Sequence, residues 1–188
     1  MDKLVDWVKT YNAGAAVNRQ LKGICLDVEP YILPVWQQDT DRMLGLWRDT
    51  VDTFVKEVKT GAPGLTAGAQ LPFWLEMLKV SDGNGAQIPL SDWMIRRLDQ
   101  VTLMAYRDNA ADIISIVENE LNAAEKQGGS IIIAVETRPS SEGPITFYPY
   151  GQALMLREMD KVIGTIHGRA SFKGYAVHDY ESWYSLKD

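Results

Sequence analysis

The chain is poor in the residues that would define its redox chemistry or attach it to a membrane. Its 188 residues include a single cysteine, Cys25, which excludes an internal disulfide and a cysteine-based zinc site. No apolar run approaches the roughly 20 residues that a membrane-spanning helix needs. The first residues lack the basic and then apolar pattern of a secretion signal. We therefore expect no membrane contact. The residues shown carry no signal and are cytoplasmic as written, but the sequence leaves the compartment unknown.

Positive charge is also scarce. The chain has 19 Lys and Arg against 25 Asp and Glu, which gives a net charge of −6. Because nucleic-acid binding needs clustered Lys and Arg, this composition argues against a nucleic-acid partner. Glycine-rich phosphate-binding patterns are absent too, which disfavours a phosphate-binding enzyme. The length, with 46% hydrophobic residues, suits one globular domain over residues 1–188.

Aromatic residues, by contrast, are numerous. Six Trp, eight Tyr and four Phe are many for a small acidic domain. Core packing is the usual role of such rings, and Trp7 and Trp47 fall on helical stripes that predict burial. We also expect Cys25 to be buried. Aromatic rings at the mouth of a site suit sugar rings and other flat, amphipathic ligands. The candidates for that role are Trp36, Trp74, Tyr106, Tyr148 and Tyr180.

Short apolar segments rich in β-forming residues alternate with amphipathic helical stretches. The apolar segments are residues 23–31, 69–76, 100–108, 130–139 and 172–180. A helical pattern precedes each of them. Strict alternation predicts right-handed crossovers and an all-parallel sheet covered by helices. The sequence therefore predicts an α/β fold with five parallel strands.

Each predicted strand begins apolar and ends, on one face, in polar or aromatic groups. These are Asp27 and Glu29, then Trp74 and Glu76, then Tyr106 and Asp108, then Glu136, and finally His178 and Tyr180. Parallel sheets and barrels carry their sites at the carboxyl ends of their strands, so we expect these residues to line one site. For any single position, a helix cap or a solvated loop residue is the alternative.

Two of these strands resemble strands of a known enzyme family. GICLDVE resembles the fourth strand of chitinase-like, family 18 glycosidases, and VTLMAYRD resembles their sixth. The resemblance implies a partial TIM-type (β/α) barrel equivalent to strands 4–8 of an eight-strand barrel. It also implies that Glu29 is the general acid, Asp27 its supporting carboxylate and Tyr106 a hydrogen-bond donor to substrate. Arg107, between Tyr106 and Asp108, departs from the family's pattern.

A second resemblance is to the retaining glycosidases of the largest barrel clan. It implies that Glu29 is the acid/base and Glu136 the nucleophile. Carboxylates about 5–5.5 Å apart would fit retention, and about 6.5–9.5 Å would fit inversion. Over nearly its whole length, the chain also resembles uncharacterised bacterial barrel proteins. This resemblance implies no particular activity.

The remaining polar groups at the strand ends are candidates for binding substrate. They are Trp74, Glu76, Asp108, His178 and Tyr180. His178 suits a proton shuttle or a substrate hydrogen bond. In the non-catalytic alternative, Asp27 and Glu29 are solvated or form ion pairs with Arg107 or Arg138. No ligand spacing is diagnostic of a metal site, and we expect neither a metal nor another cofactor.

A barrel of this kind would be incomplete, because a closed one has eight βα units in roughly 250 residues. Exposed apolar strand edges must be covered or paired. A missing N-terminal barrel segment could cover them, the first helix could cover one edge of an open sheet, or copies of the chain could associate. We expect a homo-oligomer formed through the strand edges.

The leading functional hypothesis is a glycoside hydrolase-like barrel fragment that acts on carbohydrate, with Glu29 as general acid/base. The alternative is a carbohydrate-binding or self-assembling barrel fragment without enzyme activity. Another barrel hydrolase or lyase that acts on a polar small molecule is a third hypothesis, because fold does not determine function.

Overall fold

The chain has an α/β fold built on a five-stranded parallel sheet. The structure is a computed structural model and describes residues 2–188. Its strands are, in chain order, β1 (Gly23–Asp27), β2 (Thr66–Pro72), β3 (Lys79–Ser81), β4 (Gln87–Pro89), β5 (Gln100–Met104), β6 (Ser130–Glu136) and β7 (Phe172–His178). The main sheet has the order β1-β2-β5-β6-β7, and β3 pairs with β4 in an antiparallel hairpin. The prediction of five parallel strands is confirmed.

Helices alternate with the strands of the main sheet. They are α1 (Asp2–Gly14), α2 (Thr40–Gly61), α3 (Leu90–Ile95), α4 (Ala110–Gln127), α5 (Gln152–Ile166) and α6 (Tyr180–Tyr184). Three short 3-10 helices, Val17–Arg19, Pro30–Ile32 and Phe73–Met77, lie in the connections. With the hairpin left aside, neighbours in the sheet are also neighbours along the chain, and β1 and β7 are its edge strands.

The chain groups into two compact units. The first comprises the chain up to Gln70 together with Arg97–Gln100, and the second comprises Leu71–Arg96 and Val101–Asp188. The prediction of one domain over residues 1–188 stays a prediction.

The first unit has its core along α1 and α2. Val5 and Val8 of α1 are buried, as are Phe54 and Val58 of α2. Helix α2 begins where the side chain of Asp39 accepts a hydrogen bond from the backbone N–H of Arg42, which satisfies one of the free donors at its first turn.

Three of the burial predictions fall in this unit. Trp47 is buried, as predicted. Trp7 is exposed, because α1 buries the neighbouring stripe of Val5 and Val8 instead. Cys25 is exposed as well, because it shares with Asp27 the exposed face of β1, whereas Ile24 on the opposite face is buried. The predictions of a buried Trp7 and a buried Cys25 were therefore wrong.

The second unit has its core between α4, α5 and β6. Ile113, Val117 and Leu121 form the buried stripe of α4. Asn109 caps the start of the helix, since its side chain accepts from the backbone N–H of Asp112. Gly128 caps its end, with a φ of 70° that suits glycine.

The second predicted strand ends earlier than expected. Residues 69–76 were predicted to be extended, but β2 ends at Pro72 and the chain continues as the 3-10 helix Phe73–Met77. This places Trp74 and Glu76 on a helical turn beyond the strand. The hairpin that follows turns at Asp82, whose Oδ1 accepts hydrogen bonds from the backbone N–H groups of Asn84 and Ala86.

The second unit buries the carboxyl group of Glu120 without a hydrogen-bond partner of normal geometry among the described residues. Glu120 on α4 is 1% exposed. Burial raises the pKa of Glu120 to about 7. Its own backbone N–H and the nearby Ser91 hydroxyl oppose the rise, and Glu76 and Asp92 add to it.

This carboxyl predicts a pH-dependent stability. The folded protein holds the Glu120 proton up to about pH 7, whereas its ordinary pKa is 4.5. Stability should therefore fall as the pH rises from about 4.5 to 7, by about 3 kcal/mol in all. We expect Glu120→Gln to remove most of that slope in urea unfolding measured from pH 5 to 8. Asp160→Asn on α5 is the matched control and should keep it; an equal slope in Glu120→Gln would contradict the assignment.

Candidate functional site

A buried carboxylate at the end of β6 organises the candidate site. Glu136 is 8% exposed. Its Oε1 accepts the backbone N–H of Thr137 at 2.8 Å and that of Arg138 at 2.7 Å. Its Oε2 lies 2.9 Å from His178 Nδ1. Both carboxylate oxygens are therefore occupied, which offsets the cost of burying the charge.

The sheet brings Glu136 and His178 together. In the parallel register of β6 and β7, Glu136 lies opposite His178, so the two side chains share a face at the carboxyl ends of their strands. A carboxylate only accepts hydrogen bonds, so Nδ1 of the ring carries the donated proton. In the neutral ring, Nε2 then keeps its lone pair, on a side chain that is 42% exposed. This arrangement suits general acid–base chemistry.

Tyr106 lies beside the imidazole. Its ring stacks with that of His178, with centroids 6.1 Å apart and planes 28° apart. The chain here has left β5, which ends at Met104. The next two side chains have other partners: the Arg107 guanidinium lies 4.6 Å from the centroid of the Phe73 ring, and Asp108 accepts from Asn109 at 3.2 Å.

A hydrogen-bonded network fixes the backbone around His178. The backbone N–H and the hydroxyl of Thr137 both donate to the His178 carbonyl, at 2.7 Å and 2.9 Å. Thr137 is fully buried, and its hydroxyl lies 2.9 Å from that of Ser182. Ser182 and Asp179 form the capping box that begins α6. Thr137 and Ser182 therefore hold the main chain from which the imidazole projects.

Asp179 is tied into the same network. Its pKa is lowered, first by the hydrogen bond from the Ser182 N–H, then by the Ser182 hydroxyl, with a smaller contribution from Arg138. The Arg138 guanidinium lies 3.9 Å from the Asp179 carboxylate. Arg138 thus extends over the cap of α6.

Exposed aromatic rings follow directly after His178. Tyr180 and Tyr184 are exposed, and their rings stack with centroids 6.0 Å apart. The Trp183 ring lies 6.1 Å from that of Tyr180. The predicted substrate-binding residue Tyr180 therefore belongs to an aromatic surface on α6.

Trp74 and Glu76 lie on the 3-10 helix beyond β2, and Glu76 has a partner of its own. It hydrogen-bonds to Asn119 of α4 and lines a polar cavity of about 1140 Å³ together with Asp92 and Arg96. The structure therefore gives Glu76 a setting apart from the Glu136–His178 pair.

The first unit holds the other two predicted catalytic residues. Asp27 ends β1 and is exposed. Glu29 lies two residues beyond, at the start of the 3-10 helix Pro30–Ile32, and its Oε1 accepts the Tyr31 hydroxyl at 2.5 Å. Glu29 also lines a small apolar cavity against α2.

Sequence reasoning missed three residues of the network: Thr137, Asp179 and Ser182. Asp179 and Ser182 could have been found, because Asp and Ser three residues apart match a capping box before a helix. Thr137 gave no comparable signal, since its role depends on the pairing of β6 with β7.

Among residues 2–188, no three His, Cys, Asp or Glu side chains are grouped so that they could hold a metal ion. No helix in that range combines the length and the apolar character needed to cross a membrane. In comparisons with known proteins, no family model matches the chain and no curated relative is found. The resemblance to barrel glycosidases therefore rests on the strand motifs alone.

The hydrogen bonds of Glu136 predict the tautomer of His178. In the neutral ring the proton should sit on Nδ1. In Glu136→Gln the amide oxygen can keep the two backbone N–H bonds while the amide N–H₂ donates to Nδ1, so the proton should move to Nε2. Proton–nitrogen correlation spectra of the histidine rings at alkaline pH measure this change. Glu142→Gln, in the loop after β6, should leave the spectrum unaltered; the same tautomer in Glu136→Gln would contradict the geometry.

Proposed function

We propose that the chain is a hydrolase of the glycoside hydrolase-like kind, with His178 as its acid–base residue and Glu136 as the residue that positions it. The observation that carries this proposal is the bond between Glu136 Oε2 and His178 Nδ1, made by a carboxylate whose other oxygen is already occupied. A ring held in this way presents Nε2 as a proton acceptor.

The proposed step is a proton transfer at Nε2. His178 Nε2 accepts a proton from a water whose oxygen attacks the anomeric carbon, and in the same displacement the bond from that carbon to the leaving oxygen breaks. The leaving oxygen takes its proton from solvent, and the imidazolium, stabilised by the adjacent Glu136 carboxylate, returns its proton to solvent. Glu136 acts here by positioning, because attack by its carboxylate would give up hydrogen bonds worth roughly 1.5–3 kcal/mol each.

The surroundings favour a polyhydroxylated substrate such as a glycoside. Tyr180 and Tyr184, which come shortly after His178 in the chain, offer exposed rings for stacking. Asp108 lies two residues beyond Tyr106, whose ring stacks on the imidazole. Such mixed aromatic and polar surroundings suit sugar rings, which have apolar faces and hydroxyl edges.

The fold proposed for this activity is a partial (β/α) barrel equivalent to strands 4–8 of a complete one. The order β1-β2-β5-β6-β7 supports it, since the main strands follow one another in space as they do along the chain. A doubly wound sheet would instead reverse direction at a switch point. The edges β1 and β7 are the surfaces through which we propose that copies of the chain associate.

The activity of a His178 variant tests the proposal. We expect His178→Asn to lower kcat on a panel of aryl glycosides by about 100- to 10,000-fold, because it removes the acid–base group, while substrate binding changes little. The matched control is His167→Asn, which alters the other histidine, at the end of α5. Equal rates for His178→Asn and the unaltered protein would contradict the proposal.

Glu29 supports a second candidate, in which it is the general acid of the glycosidase and Asp27 its supporting carboxylate. The specific observation is the Tyr31 hydroxyl at 2.5 Å from Glu29 Oε1, which holds the carboxyl in place at the end of β1. The competing class is a carbohydrate-binding protein without turnover.

Glu29→Gln separates these two classes. An enzyme that uses Glu29 should lose about 100-fold or more in turnover while keeping ligand binding. A binding protein should bind the same oligosaccharides with nearly unchanged affinity and show no turnover before or after the change. Asp49→Asn on α2 is the control. Full turnover in Glu29→Gln would remove Glu29 from the catalytic residues.

A further inference from the structure

We propose that the cavity beside Glu29 binds a small apolar molecule that carries a positive charge, such as an aromatic or branched alkyl amine. This inference goes beyond the proposed function, since it concerns ligand binding within the first unit and requires no turnover. It rests on the size of the cavity, the character of its walls and the single charge that faces it.

The cavity has the size and lining of a small-molecule site. It has a volume of about 290 Å³ and lies between the turn after β1 and helix α2. Its apolar wall includes Ile32, Leu33, Met43, Leu46 and Trp47. A cavity of about 150 Å³ already accommodates benzene. There is room here for one ring and a short substituent.

The rim of the cavity exposes apolar side chains that would be buried by a ligand. Ile32 is 68% exposed, and Leu33 and Leu46 are each about half exposed. Met43 and Trp47, by contrast, are buried, so they form the inner wall of the cavity. Contiguous exposed apolar groups around a concave surface are typical of binding sites.

Of the described residues that line the cavity, Glu29 alone is charged. Its Oε1 accepts the Tyr31 hydroxyl. The other polar side chain of the lining, Thr50, donates its hydroxyl to the Leu46 carbonyl within α2. A ligand that matches this lining therefore has an apolar body and a positively charged donor that pairs with the Glu29 carboxylate.

The same features distinguish a small amine from other occupants. A carboxylate with no cation beside it in the lining disfavours anionic ligands and favours cations. A second copy of the chain or another protein would need an interface of about 1,000 Å² or more, whereas the cavity accommodates one ring. We therefore commit to a free small cation.

A titration with matched small molecules tests this assignment. The probes are benzylamine, its neutral isostere benzyl alcohol, and the anion phenylacetate, added to the intact chain. The signals observed are the Met43 methyl group and the Trp47 indole N–H. We expect benzylamine to bind about tenfold more tightly than benzyl alcohol, and phenylacetate to bind most weakly.

Two variants complete the test. Glu29→Gln should abolish the preference for benzylamine over benzyl alcohol while both still bind, and Asp49→Asn should keep it. Equal affinity of the three probes, a preference that survives in Glu29→Gln, or shifts at residues away from the cavity would each overturn the inference. Glycoside turnover is measured separately, so failure of the hydrolase proposal and failure of this inference are distinguishable.

Discussion

The buried carboxylate of Glu136 is the constraint on which the candidate site depends. An ionised group at 8% exposure is costly unless donors surround it. Here the donors are two backbone N–H groups of the loop after β6 and the imidazole of β7. The path of that loop and the orientation of His178 follow from satisfying this charge. The Thr137 hydroxyl then links the backbone of His178 to Ser182, which belongs to the cap of α6.

The sequence was informative where a pattern has one structural solution. The alternation of strand-like and helix-like apolar patterns predicted the parallel sheet. The alternating direction of side chains along a strand predicted that Glu136 and His178 lie on the same face of the sheet. The parallel register then sets them opposite each other. Their direct bond was not predictable, because it depends on side-chain direction at the strand ends and on the loop that supplies the two N–H groups.

Other predictions failed for local physical reasons. The apolar residues of the segment 69–76 do not show that the chain becomes helical after Pro72. Trp74 and Glu76 therefore lie on the 3-10 helix and not on the strand. In α1 two adjacent stripes are apolar, and Val5 and Val8 are buried while Trp7 is exposed. Helical periodicity alone cannot choose between neighbouring stripes. Cys25 is exposed because it lies on the face of β1 that it shares with the exposed Asp27, opposite the buried Ile24.

The central claim is that His178 is the reactive group of the second unit, with Nε2 as its available nitrogen. Its most direct test is acylation of the two histidines with diethyl pyrocarbonate, followed by mass spectrometry, with and without an oligosaccharide ligand. We expect the reagent to modify His178 and turnover to fall in proportion to that modification. The ligand should protect His178, while His167 stays reactive. Loss of turnover that follows His167, or full turnover with His178 acylated, would contradict it.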